Sequence, residues 1–257
     1  MPPVFNRIPF SPQRPFRNVR PATSKIIFLS LEGAATEHEY FERISELFDQ
    51  VKYKLRFISV TEDAVRTPPK VRTQEQNTIL SSVRPLQLVK RIEWYKHEYN
   101  YIYKFEEHPD DEFWIVTDVD DNWSDLWISE WNEAIQLCSE RNYQYVVSNP
   151  YFEIWLLLHH DDPTDEDKSF AVSDERGYQS TNHFRLRLRE LGAPLDKEKH
   201  IRKLNYSTEN VREATTRASS LHLDRSDLAP KYFASTVYRL MEKLFSLLDE
   251  AEITQQE

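Results

Sequence analysis

The chain has 257 residues, 39% of them hydrophobic and 30% charged, with a formal net charge of −10. That balance fits a globular protein of one large domain or two small ones and excludes a disordered chain. The negative charge argues against a broad nucleic-acid-binding face, and a single cysteine, Cys138, excludes an internal disulfide or a cysteine-based zinc cluster.

The first 22 residues, "MPPVFNRIPFSPQRPFRNVRPA", carry four Arg, six Pro and no acid. They read as a disordered basic arm, or as one that grips phosphates or an acidic partner. "KIIFLSL" (25–31) then reads as a short buried strand and runs straight into Glu32-Gly33. "TEHEYFERISELF" sets Tyr40, Phe41, Ile44, Leu47 and Phe48 on one helical face, with Thr36 and Glu39 spaced as a capping box.

"YKLRFISV" (53–60) is a second strand, followed by a polar loop through Pro68-Pro69. Pro85 suits the first turn of a long helix in which Val89, Ile92, Tyr95, Tyr99 and Ile102 recur at helical spacing. "EFWIVTDVD" is a third strand that ends in aspartates. Ser124 or Asp125 caps the next helix, whose apolar face holds Trp127, Trp131, Ala134, Ile135 and Cys138; the thiol therefore reads as buried and inert. "YQYVVSN" is a fourth strand, and Asn149-Pro150 opens the helix "YFEIWLLLHH". Strand and helix alternate four times, which predicts an α/β fold with a parallel sheet of about four strands flanked by helices.

The division expected is an arm over 1–22, an α/β domain over 23–160, and an acidic linker with a helical C-terminal region over 161–257. Three helices and no strand are read beyond the linker. The longest aliphatic or aromatic run, Ile154 to Leu158, is far short of the ~20 residues that cross a bilayer. With no signal-peptide pattern at the start, the expectation is a cytoplasmic chain without membrane contact. The three glycines, Gly33, Gly177 and Gly192, are too scattered for a phosphate-cradling loop, so any ATPase activity would reside in another polypeptide.

The chemistry concentrates in acids at strand ends. Asp118 and Asp120 are two apart, so in extended chain both carboxylates point the same way. Hard cations such as Mg²⁺ or Mn²⁺ take oxygen ligands and are often held by one or two carboxylates with water and substrate phosphate. Glu32, ending another strand, would complete the shell or move a proton. Asp121 belongs to the turn, and Asp-rich strand-to-helix turns also occur with no metal. Gly33 points to unusual backbone angles or close approach by substrate. Glu153, alone in an apolar run, is a second-metal ligand, exposed to solvent, or paired with a neighbouring Arg. Asn149 reads as a helix cap only, or as a cap that also orients an active-site group. His159 and His160 sit near a helix end, where the dipole favours histidine. Arg185 and Arg189 share a helix face that either meets phosphates or is solvated.

"LEGAATEHEYF", "VTDVDDN" and "SNPYFEIWLLLHH", in this order, together with "STENVREATTRASSL" and "APKYFASTVYRLMEKL", resemble the RloB family of Toprim-like proteins over about residues 25 to 248. The resemblance implies a Toprim fold, the metal-binding phosphotransfer domain of topoisomerases, primases and OLD-type nucleases, with a helical C-terminal extension. It implies an acid/base or metal role for Glu32, a second motif acid at Glu37, divalent metal on Asp118 and Asp120, and a downstream lysine at Lys203. The strand before the first acid departs from the family pattern in ending "FLSL", and the match around Lys203 is loose. RloB-like proteins are similar to nuclease effectors of bacterial phage defence and abortive infection, encoded beside an ATPase of ABC or AAA type.

Three readings follow. A Mg²⁺- or Mn²⁺-dependent nuclease would cleave DNA or RNA, tRNA included, with a homo-oligomer left open. A catalytically inactive subunit would dock on the ATPase. An aspartate-nucleophile phosphatase ranks last, because Asn122 stands where that chemistry uses Thr or Val.

Overall fold

The computed structural model describes residues 25–33, 35–48, 55–60, 69–119, 125–172, 178–196, 200–201, 207–222, 224 and 226–256. The strands are β1 (Lys25–Leu31), β2 (Leu55–Ser59), β3 (Glu112–Asp118), β4 (Gln144–Asn149) and β5 (Ala234–Ser235). The helices are α1 (Thr36–Leu47), α2 (Gln74–Ser81), α3 (Pro85–Tyr103), α4 (Asp125–Arg141), α5 (Glu153–Leu158), α6 (Asp165–Val172), α7 (Tyr178–Glu190), α8 (Thr208–Leu221) and α9 (Val237–Gln256). The sheet order is β2-β1-β3-β4-β5. β1 to β4 are parallel and β5 is antiparallel to β4, so the expected fold, four parallel strands flanked by helices, holds.

Both sheet faces are covered, which explains the nearly continuous apolar strands. Side chains alternate between faces along a strand. Ile27, Leu29, Leu31, Trp114, Val116 and Val146 enter one core with residues of α1, α5, α7, α8 and α9. Ile26, Phe28, Phe113, Ile115 and Val147 enter the other, with α3 and α4. Phe28 stacks on Phe113 at 4.9 Å between ring centroids. Every residue of α5 is buried, Glu153 included, and the five that follow Glu153 are all apolar, as expected of a core helix. Burying each large apolar side chain contributes roughly 1.5–3 kcal/mol.

The chain direction matters for function. From β1 it moves to β2 on one side, then returns past β1 to β3 on the other. The order therefore reverses between β1 and β3. In sheets of this kind the carboxyl ends of the strands at such a reversal border the crevice where a ligand usually binds.

Four local expectations need correction. The stretch read as a polar loop contains α2, because Thr73 and Gln76 form a reciprocal capping box: Gln76 N donates to Thr73 Oγ1 at 3.2 Å, and Thr73 N donates to Gln76 Oε1 at 2.7 Å. The acidic linker contains α6, begun by the same exchange between Thr164 and Asp167. Asp167 is wholly buried and faces His183 Nε2 at 2.6 Å; burial opposes its charge, but the bonds from Thr164 and His183 prevail and lower its pKa. The region beyond that linker also supplies a strand, the two-residue β5, too short for any periodicity. Thr36 and Glu39 make no capping box: α1 has no side-chain cap, and Glu39 instead accepts Ile201 N at 2.8 Å and pairs with His200 Nδ1. Ser124 lies outside the described residues, and Asp125 is the first residue of α4.

Cys138 is buried and its thiol is pushed up to about 12 by desolvation, which keeps it protonated and unreactive. His159 follows α5 but is no charged partner of the helix dipole. It is 2% exposed, and burial, then the charges of His160 and Arg217, lower its pKa from 6.5 to about 3. Its Nε2 shares a 3.1 Å hydrogen bond with the Tyr40 hydroxyl, fastening α5 to α1. His160 is half-buried and also depressed by desolvation.

Because the folded pKa of His159 is depressed, its contribution is fully present above the unfolded value and is lost as pH falls toward the folded one. At about pH 5 the loss is on the order of 2 kcal/mol. Denaturant unfolding from pH 7.5 to 4.5 should show it. His159→Gln should be less stable at pH 7.5 and lose less on acidification; an unchanged pH slope would contradict the assignment.

Candidate functional site

The carboxyl ends of β1 and β3 bring together two of the sequence-marked acids. Strand pairing sets Leu31 opposite Val116, and Glu32 N donates to Val116 O at 3.0 Å, extending the ladder one residue. Glu32 then crosses to β3 with its side chain. Its Oε2 accepts the Thr117 hydroxyl at 2.6 Å and the Asp118 backbone N–H at 2.8 Å. Two donors on one carboxylate oxygen orient the group.

Asp118 is held in turn. Its Oδ2 accepts Phe152 N at 3.1 Å, so a side chain from β3 meets the N-terminal residue before α5. This replaces the expected cap. Asn149 is wholly buried and gives its Nδ2 to Pro230 O at 2.7 Å, while α5 begins after Phe152 with no side-chain cap of its own. The Asn149–Pro150 peptide is cis.

Glu37 lies over Gly33. A methyl group on Gly33 would fall 1.6 Å from Glu37 Oε2 and 2.2 Å from its Cδ, and Glu37 is 6% exposed. Gly33 thus gives room to Glu37, and its backbone does not take the positive φ that an unusual turn would need. Glu153, first in α5, is 7% exposed and faces Arg185 Nε of α7 at 3.7 Å. That geometry is the pairing with an Arg, and its two members come from different helices, α5 and α7. Arg189, one turn along, is exposed.

Two contributors escaped sequence reading. Thr117 is one: its place in an apolar strand hides a 1%-exposed hydroxyl aimed at Glu32. Arg91 is the other. It is 5% exposed and donates to Leu31 O at 3.0 Å and Ser82 O at 2.7 Å, tying α3 to the residue before Glu32. Its position three after Leu88 and four before Tyr95, both buried, was the available signal. Asp120, Asp121 and Lys203 lie outside the described residues.

Among the described residues no group of three or more His, Cys, Asp or Glu side chains gathers as a metal cage. Glu32 and Asp118 nevertheless suit a hard cation. They are two carboxylates on adjacent strand ends, held by backbone and hydroxyl donors, and Mg²⁺ is commonly held by one or two carboxylates with water and phosphate. The groove lined by Arg212, Thr215, Phe245 and Asp249 belongs to α8 and α9 alone and includes none of these groups.

Fold and site define a doubly wound α/β protein with paired acids in its switch-point crevice. The chain belongs to the RloB-like family: the family model described as RloB-like protein matches residues 27–244. No curated protein and no solved structure matches it. No helix among the described residues is long and apolar enough to cross a membrane.

The Gly33 contact gives a double-mutant test. Gly33→Ala should cost on the order of 1 kcal/mol in the wild-type background, because it displaces a buried carboxylate. It should cost much less in a Glu37→Ala background. Equal penalties in both, measured by denaturant unfolding, would remove Glu37 from the turn.

Proposed function

We propose that this RloB-like protein is a metal-dependent nuclease. The observation that carries the reading is the Glu32–Asp118 pair, set by hydrogen bonds at the carboxyl ends of β1 and β3. The Toprim resemblance of the same acids supports it. A bound Mg²⁺ or Mn²⁺ ion supplies Lewis acidity to a phosphodiester and lowers the pKa of a water. Glu32 and Asp118 hold the ion, with Asp120 as the expected third acid.

The surrounding residues fix the geometry. Thr117 and the Asp118 N–H stop the Glu32 carboxylate from rotating, leaving it oriented to bind or to take a proton. Phe152 N–H does the same for Asp118. Glu37 packs against Gly33 as a positioning residue. Glu153 and Arg185 offset each other's charge at the edge of the crevice.

A net charge of −10 opposes unassisted capture of a polyanion. That supports a partner, an ATPase encoded nearby, which delivers or licenses the substrate in an anti-phage abortive-infection system. The same charge favours the competing reading of an inactive docking subunit. Cleavage of single- and double-stranded DNA and RNA, tRNA included, separates the two. With Mn²⁺ or Mg²⁺ and the co-expressed ATPase, wild type should cleave at least one substrate. Glu32→Gln and Asp118→Asn should lose about 100-fold or more while keeping the partner. Equal cleavage by all three proteins would overturn the site; loss of partner binding in the variants would favour the docking reading.

A further inference from the structure

A second feature stands on the same edge of the sheet. β5 runs antiparallel to β4, with Asn149 opposite Ala234 and Ser148 opposite Ser235. Residues just before Ala234 therefore project beyond the carboxyl end of β4, the end that holds Asp118 and Glu32. Two anchors fix this segment. Asn149 Nδ2, wholly buried, donates to Pro230 O at 2.7 Å. Phe233, 4% exposed, sets its ring 5.9 Å from that of Phe184 in α7, the neighbour of Arg185.

Between the anchors the chain does something costly. Tyr232 is 70% exposed, the highest exposure among the large hydrophobic residues described. Lys231 beside it has a 67%-exposed side chain, and its 3.5 Å pair with Asp227 is a weak surface contact that a phosphate can displace. An exposed aromatic ring on an anchored segment and an exposed cation, side by side beyond the carboxyl end of β4, have the two chemistries that bind a single strand: a face for a base and a charge for the backbone. Stacking requires no extended basic groove, which suits a chain this acidic.

We infer that Tyr232 is a stacking platform for an unpaired base of a single-stranded or looped nucleic acid, with Lys231 meeting the adjacent phosphate. This rests on the nuclease reading and names the form of its substrate. Continuous duplex, whose interior bases are stacked on both faces, binds poorly.

Fluorescence anisotropy of a labelled adenine dodecamer and a labelled RNA hairpin, with Ca²⁺ present, measures binding for wild type, Tyr232→Phe and Tyr232→Ala. Cleavage with Mn²⁺ is measured on the same proteins, and the co-expressed ATPase is present in both measurements. The expected result is about tenfold weaker binding by Tyr232→Ala, binding within twofold of wild type by Tyr232→Phe, and poor competition by a closed circular duplex. In cleavage, Tyr232→Ala should raise KM and leave kcat near wild type. Unchanged binding by Tyr232→Ala, or equal competition by duplex, overturns the platform even if wild type cleaves. Binding weakened by Tyr232→Ala, with no cleavage by any protein, sustains the platform and removes the nuclease reading. No binding and no cleavage by wild type removes both.

Discussion

The Glu32 carboxylate spanning β1 to β3 is the contact on which the candidate site depends. One oxygen takes a hydroxyl from Thr117 and a backbone N–H from Asp118. A carboxylate so held would otherwise be a mobile charge at a loop. Here it joins two strands where their order reverses, and it fixes the start of the turn that carries Asp118 onto Phe152. Removing it would leave the Thr117 hydroxyl and the Asp118 N–H, both near the protein interior, without this acceptor.

The C-terminal half is part of the same construction. Its helices fill one of the two cores, and β5 adds a short antiparallel strand beside β4. At the opposite end of the sheet, Glu112 is gripped by Lys25 of β1 and Lys243 of α9. Burial opposes the charge of Glu112, but hydrogen bonds from Lys243, Lys25 and Trp114 prevail and lower its pKa. That contact ties α9 to the sheet away from the crevice. At the crevice, Arg185 of α7 reaches Glu153 and Pro230 receives Asn149. The N-terminal strands supply the acids, and the C-terminal segments close and edge the cleft around them.

Much of this was legible from local pattern. Apolar strands running into Glu32 and Asp118 marked both the sheet and the ends that matter, because a buried parallel strand requires continuous apolar residues. The neighbourhood of those ends was not legible: it depends on strand order, set by which face each crossover covers. The same limit explains Glu153. An acid in an apolar run signalled an unusual partner, but that partner lies 32 residues on in another helix. Thr36 and Glu39 had capping spacing, yet Glu39 was taken by His200 and Ile201 from far along the chain. Thr73 and Gln76 had the same spacing and did form the box; the prolines before them drew the reading toward a loop. A two-residue strand such as β5 has no period to read.

Metal binding by the Glu32–Asp118 pair tests the central claim most directly, without requiring a substrate or partner. Free Mn²⁺ gives a strong electron paramagnetic resonance signal that is lost on binding. Titrated with wild-type protein, that signal should fall to a saturable end point, and Glu32→Gln and Asp118→Asn should each weaken the affinity by about tenfold or more. A wild-type protein that leaves the signal untouched, or three proteins that bind Mn²⁺ alike, would contradict the account.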